Sequence, residues 1–542
     1  MVPRRSLSLM QRSAFAALAL ALAFSIGPRA VAADPPALRL GMTTEPGSLS
    51  PLFALDDYTN LVDRLAFDVL LTIDQDGRTL VPRLAQTVPS LRNGGISRDG
   101  LTLTYHLRRN VKWHDGVPFT SKDVAFSYRA IMNPANNVPN RHGYDQIASV
   151  ATPDRYTVVF HMKRPYAPAL TTLFADNEPS PILPEHLLGK YADLNQVDFN
   201  QHPIGTGPFK VLRWTHGQSI ELEANDDYYL GRPKLRHVSV RFVPDENTAV
   251  NQLRTHELDV FAEMSVNAYG QAKSVPGVTV ALTNLHGASN VLINTTRPEL
   301  RDVRVRRAIA AALDKAAITK NFAYGAGAVA SEDLPAFMWA YDPGARSPAY
   351  DPSAARALLR SAGWNPGPSG IVTKGGRPLS LTFAYAQNNI AARLIAIQIQ
   401  SYLHAVGIDA QLKGYTTQLM FGAYAAGGVY QAGHFDLAWY TMTLGADPDS
   451  SGRFTCGAIP PHGQNYSRYC NPEMDAAQAA GLTTFDRALR KRAYARSQQL
   501  LARDVPVVFV YWPRNIAAYD SRLHGFAPNP VVPTWNAHEW SF

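Results

Sequence analysis

Leu379-Ser-Leu-Thr-Phe-Ala-Tyr385 and Ile408-Asp-Ala-Gln-Leu-Lys-Gly-Tyr415 put apolar side chains on alternate residues, the pattern of a strand with one face buried. Between them Ile390 to Val406 repeats its apolar residues at helical spacing and stops at Gly407. A further helix is expected at about Thr417–Ala426. The β-rich run Phe435-Asp-Leu-Ala-Trp-Tyr-Thr-Met-Thr-Leu-Gly-Ala-Asp-Pro-Asp449 follows. Strand, helix, strand, helix, strand in that order predicts parallel strands joined by crossover helices. It also brings Ala386-Gln387-Asn388 and Thr441–Asp449 to one edge of one sheet, where open α/β sheets hold their ligands.

Working outward, Asp302 is positioned to cap a helix carrying Val305, Ile309, Leu313 and Ile318. Asp351-Pro352 opens another, closed by Gly363. Asn290–Asn294 reads as the strand that starts this half. Nearer the N-terminus, Leu38–Met42 reads as a strand running into the turn-rich Thr44–Pro51. Tyr58 to Leu71 reads as a helix, and Leu101–Leu107 as a half-buried strand. Thr120-Ser-Lys-Asp123 reads as a capping box. Ile204-Gly-Thr-Gly-Pro-Phe209 is a tight glycine turn before strands at 209–214, 220–224 and 237–243. Asp245 caps a helix to about Arg254, and Leu258–Phe261 is the next strand. Beyond the quoted stretch, a late helix ends at Asp504, Val505–Trp512 is a buried strand, and Asn515–Asp520 recrosses to the first half. The tail from His524 is Pro-rich and holds Trp535 and Trp540.

The bulk properties narrow the function. A chain of 542 residues exceeds one core. With 46% hydrophobic and 18% charged residues it is ordinary globular material. Arg4, Arg5 and Arg12, the apolar Ala14–Ile26 and Ala30-Val-Ala-Ala33 form the three regions of an export signal cut near Ala32 or Ala33. Arg4-Arg5 leaves the general and twin-arginine routes both open. No cysteine near the cut offers a lipid anchor, and an unanchored export product fits a periplasm. Four of the 52 basic residues and no acid lie in residues 1–33, so the net charge of +8 falls to +4 without them. That balance argues against nucleic acid as a partner. The only two cysteines, Cys456 and Cys470, are close in sequence in an exported chain, which predicts a disulfide. No His cluster beside them suits a metal.

Leu103-Thr-Tyr-His-Leu-Arg-Arg-Asn-Val-Lys-Trp-His-Asp-Gly-Val-Pro-Phe119, Pro203-Ile-Gly-Thr-Gly-Pro-Phe-Lys-Val211, Asp302-Val-Arg-Val-Arg-Arg-Ala308, Ala362-Gly-Trp364 and Phe435-Asp-Leu437 together resemble the family 5 extracellular solute-binding proteins. These are the dipeptide-, oligopeptide- and nickel-binding components of ABC importers. Asn465-Tyr-Ser-Arg-Tyr-Cys470 looks most like the dipeptide branch, where a matching Cys closes a small disulfide loop. The resemblance implies an α/β, two-lobed periplasmic-binding-protein fold (type II, of the large cluster C kind) with an extra subdomain in the first lobe. The expected division is residues 34–285 as lobe I, with the subdomain inserted at about 84–198. Residues 286–515 form lobe II, and 516–542 return to lobe I. It implies hinge closure over a peptide or other small solute, delivery to a permease and ATPase in the inner membrane, no cofactor, and a monomer.

The expected ligand contacts are Glu45 and Ser48 after the first strand, Tyr385 and Gln387 on the shared sheet edge, Trp439 and Tyr440, and Asp447 and Asp449. Each has a plainer role beside it. Trp439 and Tyr440 point to opposite faces of a strand, so one of them is core. Asp447 and Asp449 suit turn or helix caps equally well. Two positions depart from the dipeptide binders that the chain resembles: Met442 stands where the ammonium-holding Asp is expected, and Ala386 where the carboxylate-holding Arg is. A longer or capped peptide, or a solute without two full charges such as a nickel chelate, a sugar or an opine-like compound, therefore stays open. The rival class is a secreted peptide hydrolase. Gly-x-Ser-x-Gly, His-Glu-x-x-His and P-loop motifs are all missing. Trp113-His-Asp-Gly116 is read as a structural turn. Gly325-Ala-Gly-Ala-Val-Ala330 follows a helix rather than a strand and is not a dinucleotide site.

Overall fold

The computed structural model describes residues 37–53, 57–139, 141–176 and 182–542; the export signal read in residues 1–33 lies outside them. Leu437–Thr443 pairs in parallel with Ser380–Ala386, which pairs in parallel with Asp409–Tyr415. The helix Ile390–Ala405 makes the crossover, capped by Asn389 at its start and released by Gly407 at φ +89°. Leu379, Leu381 and Phe383 are fully buried against Ile395, Ile399 and Leu403 of that helix. The other neighbour of Leu437–Thr443 is Gly287–Ile293, and it runs antiparallel. The sheet is therefore mixed, because Gly287–Ile293 enters from the other half of the molecule instead of crossing over within this one.

Val507–Asp520 is one unbroken strand of 14 residues, where the sequence suggested two pieces. Its first part pairs with Gly287–Ile293 through Val507–Tyr511. Its last part pairs with Val278–Asn284 and Val260–Phe261. Asn284 to Gly287 is the second crossing beside it. The two halves thus share a single hydrogen-bonded path of strands. The register slips between Ser289 and Asn290, a local irregularity of the kind that lets a strand bend.

In the first half Ala37–Met42 lies parallel between His237–Phe242 and Val260–Phe261. Ser219–Ala224 and Phe209–Thr215 extend the sheet outward as antiparallel neighbours. Trp540, fully buried, packs on Phe526 and shares a core with Leu38, Leu40 and Val240, so the first described strand and the C-terminal tail meet there. A separate core spans Leu52 to Phe199. It holds a three-stranded sheet of Thr102–His106, Thr157–Met162 and Ile147–Asp154 and the helix Ser121–Met132, whose Asp123 accepts the Thr120 N–H at 2.7 Å.

Three helices differ from expectation. The helix after Asp302 is two, Val303–Ala312 and Lys315–Ala323, because Leu313 turns extended and the Asp314 carboxylate recaps the chain at the Ala317 N–H. The stretch expected at 417–426 is only Thr417–Met420 and the single turn Tyr424–Ala426. There the backbone folds back so closely that a Cβ on Gly428 would lie 1.7 Å from the Gly422 carbonyl oxygen. The helix read from Tyr58 to Leu71 stops at Ala66, and Leu71–Ile73 is a strand.

Candidate functional site

Because Ser380–Ala386 and Leu437–Thr443 run the same way, their C-terminal ends and the loops after them share one edge. Asp447, in the loop beyond Thr443, is buried, and its two oxygens accept from Arg490 Nη2 at 2.6 and 2.7 Å. Burial pushes the Asp447 carboxyl up, with Arg490 pulling the other way. Burial likewise opposes the Arg490 charge, but Asp447 and Tyr494 beside it hold that guanidinium above its ordinary range. We read an ion pair. Asp449 accepts from the Ser451 N–H at 2.8 Å, at the start of Ser451–Phe454.

Trp439 and Tyr440 do point to opposite faces, and both are buried. Trp439 belongs to the core under helix Ile390–Ala405 and lies against Tyr511, 6.1 Å between rings. Tyr440 sits in an aromatic cluster with Phe421, Tyr430 and Tyr466. The Tyr430 hydroxyl fixes that cluster by donating to the Trp439 carbonyl at 2.6 Å. Tyr385 is half-buried and Gln387 exposed, both beside Gly414 of the neighbouring strand. Glu45 accepts from Trp214 Nε1 at 2.8 Å, His216 Nδ1 at 2.9 Å and the Gly217 N–H at 2.9 Å. Burial works against its charge, yet these donors keep its carboxyl below the usual range. Ser48 accepts from the Ser50 N–H at 3.0 Å. Glu45 and Ser48 therefore brace the turn after the first strand. Cys456 and Cys470 form a disulfide.

A crevice of about 360 Å³ has walls from two separate parts of the chain. Arg78, Leu80, Leu91, Arg92 and Leu170 line one side; Trp339, Ala446, Asp447, Phe485, Arg487 and Arg490 line the other. The two walls touch: the Ala167 N–H donates to the Leu482 carbonyl at 2.8 Å. A Cβ on Gly100 would meet the Phe485 ring at 3.2 Å. Of the expected ligand contacts, Asp447 alone lies on this lining. Reading the sequence missed Trp339, Arg487 and Arg490. The basic run Arg487-Ala-Leu-Arg-Lys-Arg492 signals a charged helix face and gives no hint that it meets residues 78–96. Among the described residues no group of three His, Cys, Asp or Glu is placed to hold a metal ion, and no helix is long and apolar enough to cross a membrane.

Two halves joined by paired crossing strands, with a crevice between their walls, define a periplasmic-binding-protein fold. A model of the family described as "Bacterial extracellular solute-binding proteins, family 5 Middle" matches residues 79–457. The oligopeptide-binding protein AppA of Bacillus subtilis is 30% identical over 516 residues, covering 93% of this chain and 91% of AppA. The solved structure of AppA with a nonapeptide superposes with a TM-score of 0.75 at 27% identity, over 93% of this chain and 99% of that one. NikZ of Campylobacter jejuni with Ni(L-His) gives 0.77 at 26% identity over the same shares. The chain belongs to the family 5 extracellular solute-binding proteins.

Proposed function

We propose that this protein captures a short peptide between its two lobes in the periplasm and passes it, chemically unaltered, to an ABC permease and ATPase in the inner membrane. The lobes are residues 34–285 with 516–542, and residues 286–515; the working form is a monomer. The observation that carries this reading is the crevice with walls from both halves, set beside two crossing segments that permit hinge closure. The oligopeptide-binding name and nonapeptide complex of AppA support a peptide as the solute. The shared edge offers a ligand Tyr385 and Gln387, while Asp447 and Asp449 act by shaping the loop. The Ni(L-His) complex of NikZ supports a second reading, a chelated nickel ion.

Mass spectrometry of the protein purified natively from its host, followed by calorimetry with what co-purifies, decides between them. Peptides bound one per chain and recovered intact are the expected result. A nickel chelate would establish the second reading. Peptides cut during incubation would overturn transport in favour of hydrolysis.

A further inference from the structure

Five charged side chains line the crevice: Arg78, Arg92, Arg487, Arg490 and Asp447. Asp447 is taken up by Arg490. Arg78 has a carboxylate partner in Asp76, at 3.4 Å. Among the described residues Arg92 and Arg487 pair with no carboxylate and donate no side-chain hydrogen bond. Arg487 is nevertheless held in place, its guanidinium stacked 4.9 Å from the centre of the Trp339 ring, with Arg490 against the same ring at 5.3 Å. Stacking occupies the face of a guanidinium and leaves its in-plane N–H fork for a planar anion. The remaining lining is mostly apolar, with Leu80, Leu91, Ile96, Leu170 and Phe485, and adds the neutral polar side chains of Ser90 and Thr171. A second hollow of about 390 Å³ shares Arg78, Leu80 and Arg487 with this crevice and is bounded also by Thr79 and Val88. The volume is at the low end for a small-molecule pocket, about 300–1,000 Å³, room for the end of a chain rather than all of it.

We propose that this crevice is a subsite for a carboxylate borne on an apolar body, with Arg487 and Arg92 as its anion-binding residues, and that it gives the protein a preference for peptides that are acidic at the end entering it. The assignment rests on the peptide reading above. The carboxylate comes either from the peptide's C-terminus or from an acidic last side chain. Asp447, already neutralised, neither repels such a group nor serves an ammonium. Trp339 orients Arg487 and supplies a flat apolar shelf.

The test uses the full mature protein and a mixture of synthetic tri- to pentapeptides in four matched forms: free or amidated C-terminus, each with glutamate or glutamine as last residue. Retained peptides are counted by mass spectrometry. The expected result is at least tenfold enrichment of one or both carboxylate sources over the doubly neutral form, with the four arms telling terminus from side chain. In the Arg92→Gln/Arg487→Gln double variant that preference falls below threefold while neutral peptides are retained as before. Both positions are exposed, and an unchanged circular-dichroism melt verifies folding. Equal retention of all four forms, or a double variant that keeps the preference, overturns the subsite and leaves the peptide reading standing. Retention of no peptide in any form overturns both.

Discussion

Glu332 is fully buried, and neither carboxyl oxygen has a hydrogen-bond partner among the described residues. Burial, and next the neighbouring Asp333, push it up to about 10, with Lys315 pulling back. Folded Glu332 is therefore protonated at neutral pH, while the unfolded chain ionises it above about 4.5. For an acid raised on folding, the native state binds the extra proton, so stability is lost as pH climbs from about 4.5 toward 10. At pH 7 the loss is set by the distance from the unfolded value and comes to about 3 kcal/mol. Glu332→Gln removes the need for that proton. Urea midpoints are expected to rise by a gain of about 2–3 kcal/mol at pH 7 and by nothing at pH 4; a destabilised variant at pH 7 would show that the carboxylate is charged and paired. Two histidines act in the opposite direction. His114 accepts from the Gly205 N–H at Nδ1 and donates from Nε2 to the Gly207 carbonyl, both at 3.1 Å. His286 donates from Nε2 to the Gly77 carbonyl. Burial lowers each to about 4, against the pull of those carbonyls. The unfolded chain takes up protons first, between about 6.5 and 4, so each histidine lowers stability as pH falls through that window, by about 2 kcal/mol at pH 5. Between pH 7 and 5 what Glu332 regains offsets much of the histidine loss, so the variant is the test: replacing His286 with Gln should raise stability by about 2 kcal/mol more at pH 5 than at pH 7 in denaturant melts. At this scale the sequence showed which residues lie at the sheet edge. It did not show their partners: Asp447 meets an arginine 43 positions later and Glu45 a hairpin 169 to 172 positions away.

At the scale of elements, alternation placed Ser380–Ala386 and Asp409–Tyr415, a β-rich run placed Leu437–Thr443, and the helices expected between them predicted parallel pairing. Interruptions were harder to see. Asp314 could sit on a continuous helix as readily as recap a broken one, and only the extended Leu313 decides it. Val278–Asn284 carries half-buried Val278, Val280 and Leu282 on alternate positions, but its partner Val507–Asp520 lies more than 200 residues on. The glycine turn at 204–209 was legible as a turn, though its reason was not. Neither Gly205 nor Gly207 has positive φ; instead a Cβ on Gly205 would stand 1.8 Å from the Ala66 carbonyl oxygen. That contact holds the end of helix Asp57–Ala66 against the turn that His114 also binds. Gly205→Ala is expected to cost about 2–3 kcal/mol through forced backbone displacement. Gly47→Ala, with no atom within 4 Å of the new Cβ and no positive φ, should leave the midpoint unchanged. Equal midpoints for the two variants would refute the close approach.

For the whole molecule, two facts pull against each other. The halves share one path of paired strands through Val507–Asp520 and the Asn284–Gly287 crossing, which restricts their motion to bending about those segments. Away from that seam the walls also touch: the Ala167–Leu482 backbone bond, Phe485 against Gly100, and Leu482 and Phe485 packed on the core that spans Leu52 to Phe199. Against those contacts stand Arg92 and Arg487, crevice-lining cations with no carboxylate partner among the described residues, which a solute can neutralise. On the proposed function, a solute touching both walls favours the closed form by its differential affinity for it. Small-angle X-ray scattering should therefore show a smaller radius of gyration on saturating with a binding peptide. Denaturant melts at a peptide concentration a hundred times Kd should show about 2.7 kcal/mol of added stability. Disrupting the wall contact, by Phe485→Ala, should enlarge the ligand-free radius and weaken peptide binding together, because the closed population falls while the crossing strands stay intact. A variant that binds less tightly with no change in ligand-free dimensions would place Phe485 on the ligand itself, and a radius that ignores peptide would mean that the halves do not swing.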